Sequence, residues 1–135
     1  MDKRRVVVTG YGVLSCVGNN VADFWDSLVN GKCGIGPITR FDTSAYRTKI
    51  AGEVKNFDVS SCISVKEARR MDLFTQYAIA AADEALRCAG LNADPGEKRA
   101  DGERFGCMVS SGVGGLATIS KESQVLFRSA PDFLC

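Results

Sequence analysis

Three short arrays in this chain carry groups that could do chemistry. In Ser110-Ser111-Gly112-Val113-Gly114-Gly115, three glycines stand at what reads as a strand-to-helix junction, where bare backbone amides and a helix N-terminus can meet a cavity. Such a junction suits an anion, or a ligand chain passing along a backbone wall with Val113 as the one side chain facing it, or simply a helix start. Lys66, Arg69 and Arg70 fall at i, i+3 and i+4 with only Glu67 as a local counter-charge, so they share one exposed cationic face. That face is either merely solvated or a docking surface for an acidic partner. Gly10-Tyr11-Gly12 opens like a dinucleotide fingerprint, but Ser15 holds the third glycine's place and no acidic residue follows a second strand at the required distance. A structural turn is the better reading there, and the absence of any Gly-Lys-Ser/Thr excludes a P-loop.

What is missing narrows the chemistry further. The chain has no histidine, the side chain that titrates nearest neutral pH, which argues against a self-contained Ser-His or Cys-His catalyst. Its six cysteines are scattered over positions 16, 33, 62, 88, 107 and 135, with no Cys-x-x-Cys pair. They read as reduced, small apolar residues, and no metal or other cofactor is expected. Seventeen Lys and Arg against sixteen Asp and Glu leave a net charge of +1, too little to attract nucleic acid or an anionic membrane globally. No apolar run approaches the roughly 20 residues of a membrane span, and residues 1–5 lead only into a short strand, not a signal peptide. The expectation is a cytoplasmic protein, or one of a plastid or mitochondrial matrix if the source is eukaryotic.

At 135 residues and 45% hydrophobic content the chain suffices for one domain or part of one. Val6-Val7-Val8-Thr9 between cationic and glycine residues predicts a strand buried on both faces, the mark of a mainly parallel sheet covered by helices. Val21, Phe24, Trp25, Leu28 and Val29 recur with helical period after Asn20, with Gly31 as the stop, predicting a helix over 21–29. Residues 31–37 read as a loop, 38–41 as a short extended piece and 48–54 as a second strand. Ser64 and Glu67 form a capping box that starts a helix near Val65, with a break or re-cap at Asp72. A helix over 74–89 follows, its alanines at 78, 81, 82, 85 and 89 making a smooth strip for close approach, and Gly90 ends it. Residues 92–103 read as an exposed loop, 105–111 as a third strand, 112–115 as a tight turn and 116–127 as a helix.

Several of these segments together resemble one family. Arg4-Arg5-Val6-Val7-Val8-Thr9-Gly10-Tyr11-Gly12, the run 34–44 from Gly34 to Ser44, Ile50-Ala51-Gly52-Glu53-Val54, Lys66-Glu67-Ala68-Arg69-Arg70-Met71-Asp72 and Ser111-Gly112-Val113-Gly114-Gly115-Leu116 look, in order, like the N-terminal region of β-ketoacyl-acyl carrier protein synthase II. The resemblance runs to about Phe127 and implies an α/β fold: a thiolase-like α/β/α layered architecture, here a partial N-terminal half with an incomplete mixed sheet over residues 1–135. It also implies fatty-acid elongation, in which an acyl chain moves from acyl carrier protein to a cysteine and is condensed with decarboxylating malonyl-carrier protein.

That chemistry needs an activated thiolate at a helix N-terminus and two histidines. None of the six cysteines follows a strand and opens a helix, so no catalytic residue is assigned, the chain is expected to stop before the nucleophile motif, and alone it is expected to be inactive. By the same resemblance Val113, flanked by Gly112 and Gly114, gates an acyl pocket. Lys66, Arg69 and Arg70 dock acyl carrier protein, and the full-length enzyme is a homodimer. The alternatives are a non-catalytic carrier-protein-binding module and, less well supported, a nucleotide-binding α/β domain.

Overall fold

A computed structural model describes residues 3–91 and 101–129. Helix α1 (Val21–Val29) starts as expected: the Asn20 side chain accepts a hydrogen bond from the Asp23 amide at 2.8 Å, answering one of the amides that a helix start leaves without a partner. It ends in a Schellman turn, with the Gly31 amide donating to Leu28 O and the Lys32 amide to Ser27 O. Strands β1 (Ile35–Pro37) and β2 (Ile50–Gly52) pair antiparallel in the register Ile35 with Gly52 and Pro37 with Ile50. Ile38 N donating to Lys49 O at 3.0 Å extends the ladder by one step. Pro37 is tolerated because a two-stranded sheet has only edge strands.

Helix α2 (Val65–Ala68) carries the complete Ser64–Glu67 capping box. Helix α3 (Leu73–Cys88) closes with a second Schellman turn at Gly90 and Leu91. After a short 3-10 turn (Gly102–Arg104), helix α4 (Leu116–Ser129) completes the described chain. It runs two residues past the expected end of 127. Of the expected loop over 92–103, residues 92–100 lie outside the described residues.

Three expectations are corrected. Residues 6–9 form no strand, and Val6 is 96% exposed. Residues 105–111 form none either, with Met108 also 96% exposed. Both have β-forming composition, but a strand exists only as a hydrogen-bonded ladder, and among the described residues neither run has a partner strand. The expected loop over 31–37 instead contains β1, because Ile35 and Gly36 find that partner in β2. Among the described residues the sheet is thus two-stranded and antiparallel, where the sequence predicted a mixed one, and the expected α/β/α layering is not assembled.

The long helix α3 organises what is folded. The backbone at Gly10 and Gly12 lies directly on its alanine strip: a Cβ on Gly10 would come within 2.7 Å of Ala89 N, and one on Gly12 within 2.9 Å of Ala85 N. Only glycine permits that approach, so the Gly-x-Gly motif is a packing device. Glu84, on the same helix, receives two amides in one carboxylate, from Val13 N at 2.9 Å and from Val21 N at 2.8 Å. It thereby ties the N-terminal segment to the first residue of α1. Among the described residues the buried interior is small, consisting of Ile63, Ala68 and Ser27, and much of the apolar surface, Trp25 and Leu126 included, stays exposed.

Two outcomes follow. Glu84→Ala removes the acceptor of two part-buried amides and is expected to cost about 1–3 kcal/mol in denaturant unfolding, whereas an unchanged midpoint would show those bonds to be dispensable. At the sheet, the Glu53 carboxyl sits below its ordinary value of 4.5, first because the Thr39 hydroxyl donates to it and next because the Thr39 amide does. With the folded value depressed, this contribution to stability is complete above the ordinary value and is lost as pH falls through the folded one. Thr39→Val should raise the Glu53 titration midpoint, read from its carboxyl carbon shift by NMR; an unmoved midpoint would show that the hydroxyl does not set it.

Candidate functional site

At the start of α3, Asp72, two positions after Arg70, links the segment that carries the cationic triplet to the glycine motif. Ala68, buried at the end of α2, and Met71 both offer their carbonyls to the Gln76 side chain, whose Nε2 donates at 2.9 and 3.0 Å. This clamp fixes the α2–α3 corner. Asp72, at that corner, occupies the N-cap position of α3 with extended backbone, yet its side chain caps nothing in its own helix. The carboxylate instead accepts a short hydrogen bond from the Thr118 hydroxyl of α4. It also lies over Gly115, where a Cβ would come within 2.6 Å of the Asp72 Cγ. An unmade N-cap bond forgoes about 1 kcal/mol, so the contact with α4 is made at the expense of α3.

The glycine loop is held from both ends. Ser111 Oγ accepts from Gly114 N at 3.0 Å, Gly114 has φ +74°, and Ile119 N donates to Gly115 O as α4 begins. Of the three options at this junction, the anion is supplied internally, since the Asp72 carboxylate occupies the N-terminal end of α4 where the helix dipole favours negative charge. Below the loop runs an open groove of about 890 Å³, lined by Gly114, Gly115, Leu116, Phe41, Phe74 and Tyr77 among others. Val113 is 66% exposed and is not among the residues that line this groove, Gly112 has open space around it, and Gly114 lies against the Phe74 ring. The groove's far wall is steadied by Arg40, which donates to the Tyr77 hydroxyl at 3.1 Å, and by the edge-to-face packing of Phe57 on Tyr77.

The cations are arranged slightly differently from the expectation. Lys66 alone lies within α2; Arg69 is its C-cap, still helical at φ −63° and ψ −18°, and Arg70 continues the turn by donating its amide to Glu67 O. All three are exposed. Glu67, the one local counter-charge, is turned to Ser64, accepting from its amide and hydroxyl. Among the described residues none of the three cations has an ion-pair partner, which leaves an uncompensated positive ridge.

Sequence reasoning located the loop and the ridge but missed the link between them. Asp72 was legible as a helix break, yet nothing in the spacing of Asp72 and Thr118, 46 positions apart, signals their contact. Glu84 was missed likewise. No group of three or more potential metal-binding side chains gathers among the described residues. The described cysteines are free thiols, Cys16 and Cys62 half-buried and Cys33, Cys88 and Cys107 exposed. Among the described residues no helix is long and apolar enough to cross a membrane.

Residues 3–131 match the family model described as beta-ketoacyl synthase, N-terminal domain, and the chain belongs to that family. Its relatives carry a more particular name. The chain is 47% identical over 131 residues to the 3-oxoacyl-[acyl-carrier-protein] synthase 2 of Vibrio cholerae serotype O1, a match covering 97% of this chain and 31% of that protein. It is 42% identical, with the same coverages, to the protein of that name from Coxiella burnetii. Against the one from Staphylococcus aureus strain COL it is 47% identical over 130 residues, or 96% of this chain and 30% of the relative. The chain thus spans about 31% of the length of the curated relatives it matches. Among solved structures, the ishigamide ketosynthase/chain length factor matches at TM-score 0.59 and 38% identity, over 67% of this chain and 23% of that one. Family and structural likeness together make the fold thiolase-like.

Proposed function

We propose that this chain forms the N-terminal part of the condensing domain of a 3-oxoacyl-acyl carrier protein synthase of type II. The observation that carries this reading is the near full-length match of the chain to relatives of that name at 42–47% identity. In the reaction so assigned, an acyl group passes from its carrier-protein thioester to an enzyme cysteine. Loss of carbon dioxide from malonyl-carrier protein then generates a carbanion that attacks the acyl thioester, releasing the thiol and giving the 3-oxoacyl product. A chain without histidine lacks the donors that polarise the malonyl thioester, so the thiolate and those donors come from other polypeptide of the synthase.

In this reading residues 1–135 supply the entrance and the wall of the site. The ridge of Lys66, Arg69 and Arg70 receives acyl carrier protein in its acyl and malonyl forms through the partner's acidic surface. The Gly112–Val113–Gly114 loop borders the acyl path, Val113 being the side chain that must move aside for long chains. The groove beneath it carries Phe41, Leu73, Phe74 and Leu116, with Arg40, Asp72 and Lys121 also in its lining; its aromatic and aliphatic part supports an alkyl guest and its charged groups a polar end. The complete enzyme is a homodimer. A non-catalytic carrier-binding module would keep the ridge alone and would have no use for an apolar groove beside the glycine loop.

Exposed rim charges contribute only about 0–1 kcal/mol each, so their effect is collective and falls mainly on association. Replacing Lys66, Arg69 and Arg70 together by Glu in the complete synthase should raise KM for acyl-carrier protein and abolish its salt dependence, while acylation by a small thioester stays intact. Unchanged carrier-protein kinetics would reduce the ridge to a solvated face.

A further inference from the structure

We infer that Asp72 is a positioning residue with two alternative seats, one holding the glycine loop closed through Thr118 and the other capping α3 when the loop opens. This rests on the reading of Val113 as the acyl gate and goes beyond it by naming what holds and releases that gate.

The two seats are both visible. Asp72 has the extended backbone of an N-cap residue, φ −61° and ψ 152°, but makes no side-chain cap bond. Its carboxylate has gone to the Thr118 hydroxyl and lies against Gly115. The N–H of Phe74, second in α3, is left without a described hydrogen-bond partner, and an N-cap carboxylate can accept from the second or third amide of its helix. A rotation of one side chain therefore exchanges one bond for another and leaves no charge unsatisfied. Exchanging one such bond for another is the kind of balance a two-state element needs.

The geometry couples this exchange to the gate. Gly115 follows Val113 by two residues, and the Gly114 amide is already tied back to Ser111 Oγ. With Asp72 over Gly115, the loop is pinned between α3 and α4. With Asp72 turned back onto Phe74 N, the loop keeps its Ser111 bond and the α4 amides on Gly114 O and Gly115 O but loses its tie to the start of α3, and residues 112 and 113 are free to make room. The Gln76 clamp on Ala68 and Met71 keeps the corner itself fixed, so the movement is confined to the carboxylate and the loop. Thr118 thus sets how readily long acyl chains enter without touching them.

The test uses Thr118→Val, which removes the donor from an exposed position, and Thr118→Ser, which restores it. In the 135-residue chain, amide hydrogen exchange should become roughly tenfold faster at Gly114, Leu116 and Ile119 in the Val variant and slower at Phe74 as Asp72 recaps α3. The Ser variant should match the parent, and exchange in α1 should be unchanged in both. In the complete synthase, Thr118→Val should raise the ratio of kcat/KM for long over short acyl primers, with Thr118→Ser restoring it. Exchange that accelerates at the loop without slowing at Phe74, or an unmoved chain-length ratio in the Val variant, overturns the two-seat inference. Val113→Phe in the same enzyme separates the underlying reading: if it suppresses long and short primers equally, the gate itself is refuted, whatever the exchange data show.

Discussion

The structure depends on one contact surface, the small-residue face of α3. Alanines at 81, 85 and 89 let the backbone of Gly10 and Gly12 approach until no Cβ could fit between them, and close approach maximises dispersion contacts. Glu84 then fixes what packing alone leaves free to slide, joining the N-terminal segment and α1 through two amides on one carboxylate. At its other end α3 holds α2 through Gln76, α4 through Asp72, and the wall of the groove through Tyr77. Without α3 these elements would have almost no common interior, since among the described residues only Ile63, Ala68 and Ser27 are buried.

That economy has a visible counterpart. Two runs of strand-forming residues, 6–9 and 105–111, lie exposed and outside any ladder among the described residues, leaving backbone groups that make a template for another strand. Exposed apolar side chains on α1 and α4 extend the same surface. The curated relatives are about three times as long as the chain, and in the proposed reading further polypeptide packs on such faces. The candidate site lies on the opposite principle: its parts are locally complete, each tied by a named bond, and they converge on the α2–α3 corner.

What was legible in the sequence follows the range of the forces involved. Helices α1 to α4, the caps of α1 and α2 and the stops of α1 and α3 were readable because periodicity, the Asn20 cap, the Ser64–Glu67 box and the glycines at 31 and 90 act within a few residues. The ridge of Lys66, Arg69 and Arg70 and the turn at Gly112 to Gly115 were readable for the same reason. The strands were read only in part: β2 lies within the expected strand over 48–54, but a β-branched run signals only a capacity to pair, so β1 was taken for a loop while residues 6–9 and 105–111 were taken for strands. The internal anion at α4, supplied by Asp72, escaped because a side-chain contact across 46 positions leaves no periodic trace. Family resemblance reached the fold class, which local pattern alone did not.

The central claim is that these residues form the entrance half of a condensing site. The most direct measurement replaces the matching N-terminal region of the Vibrio cholerae 3-oxoacyl-[acyl-carrier-protein] synthase 2, 47% identical to it, with residues 1–131 of this chain, and follows 3-oxoacyl-carrier protein formation. The expected result is a folded chimera that condenses acyl-carrier protein with malonyl-carrier protein at a rate within roughly tenfold of the parent, an activation barrier raised by no more than about 1.4 kcal/mol. A chimera that folds and is acylated by a small thioester, yet forms no 3-oxoacyl product from carrier-protein substrates, would contradict it.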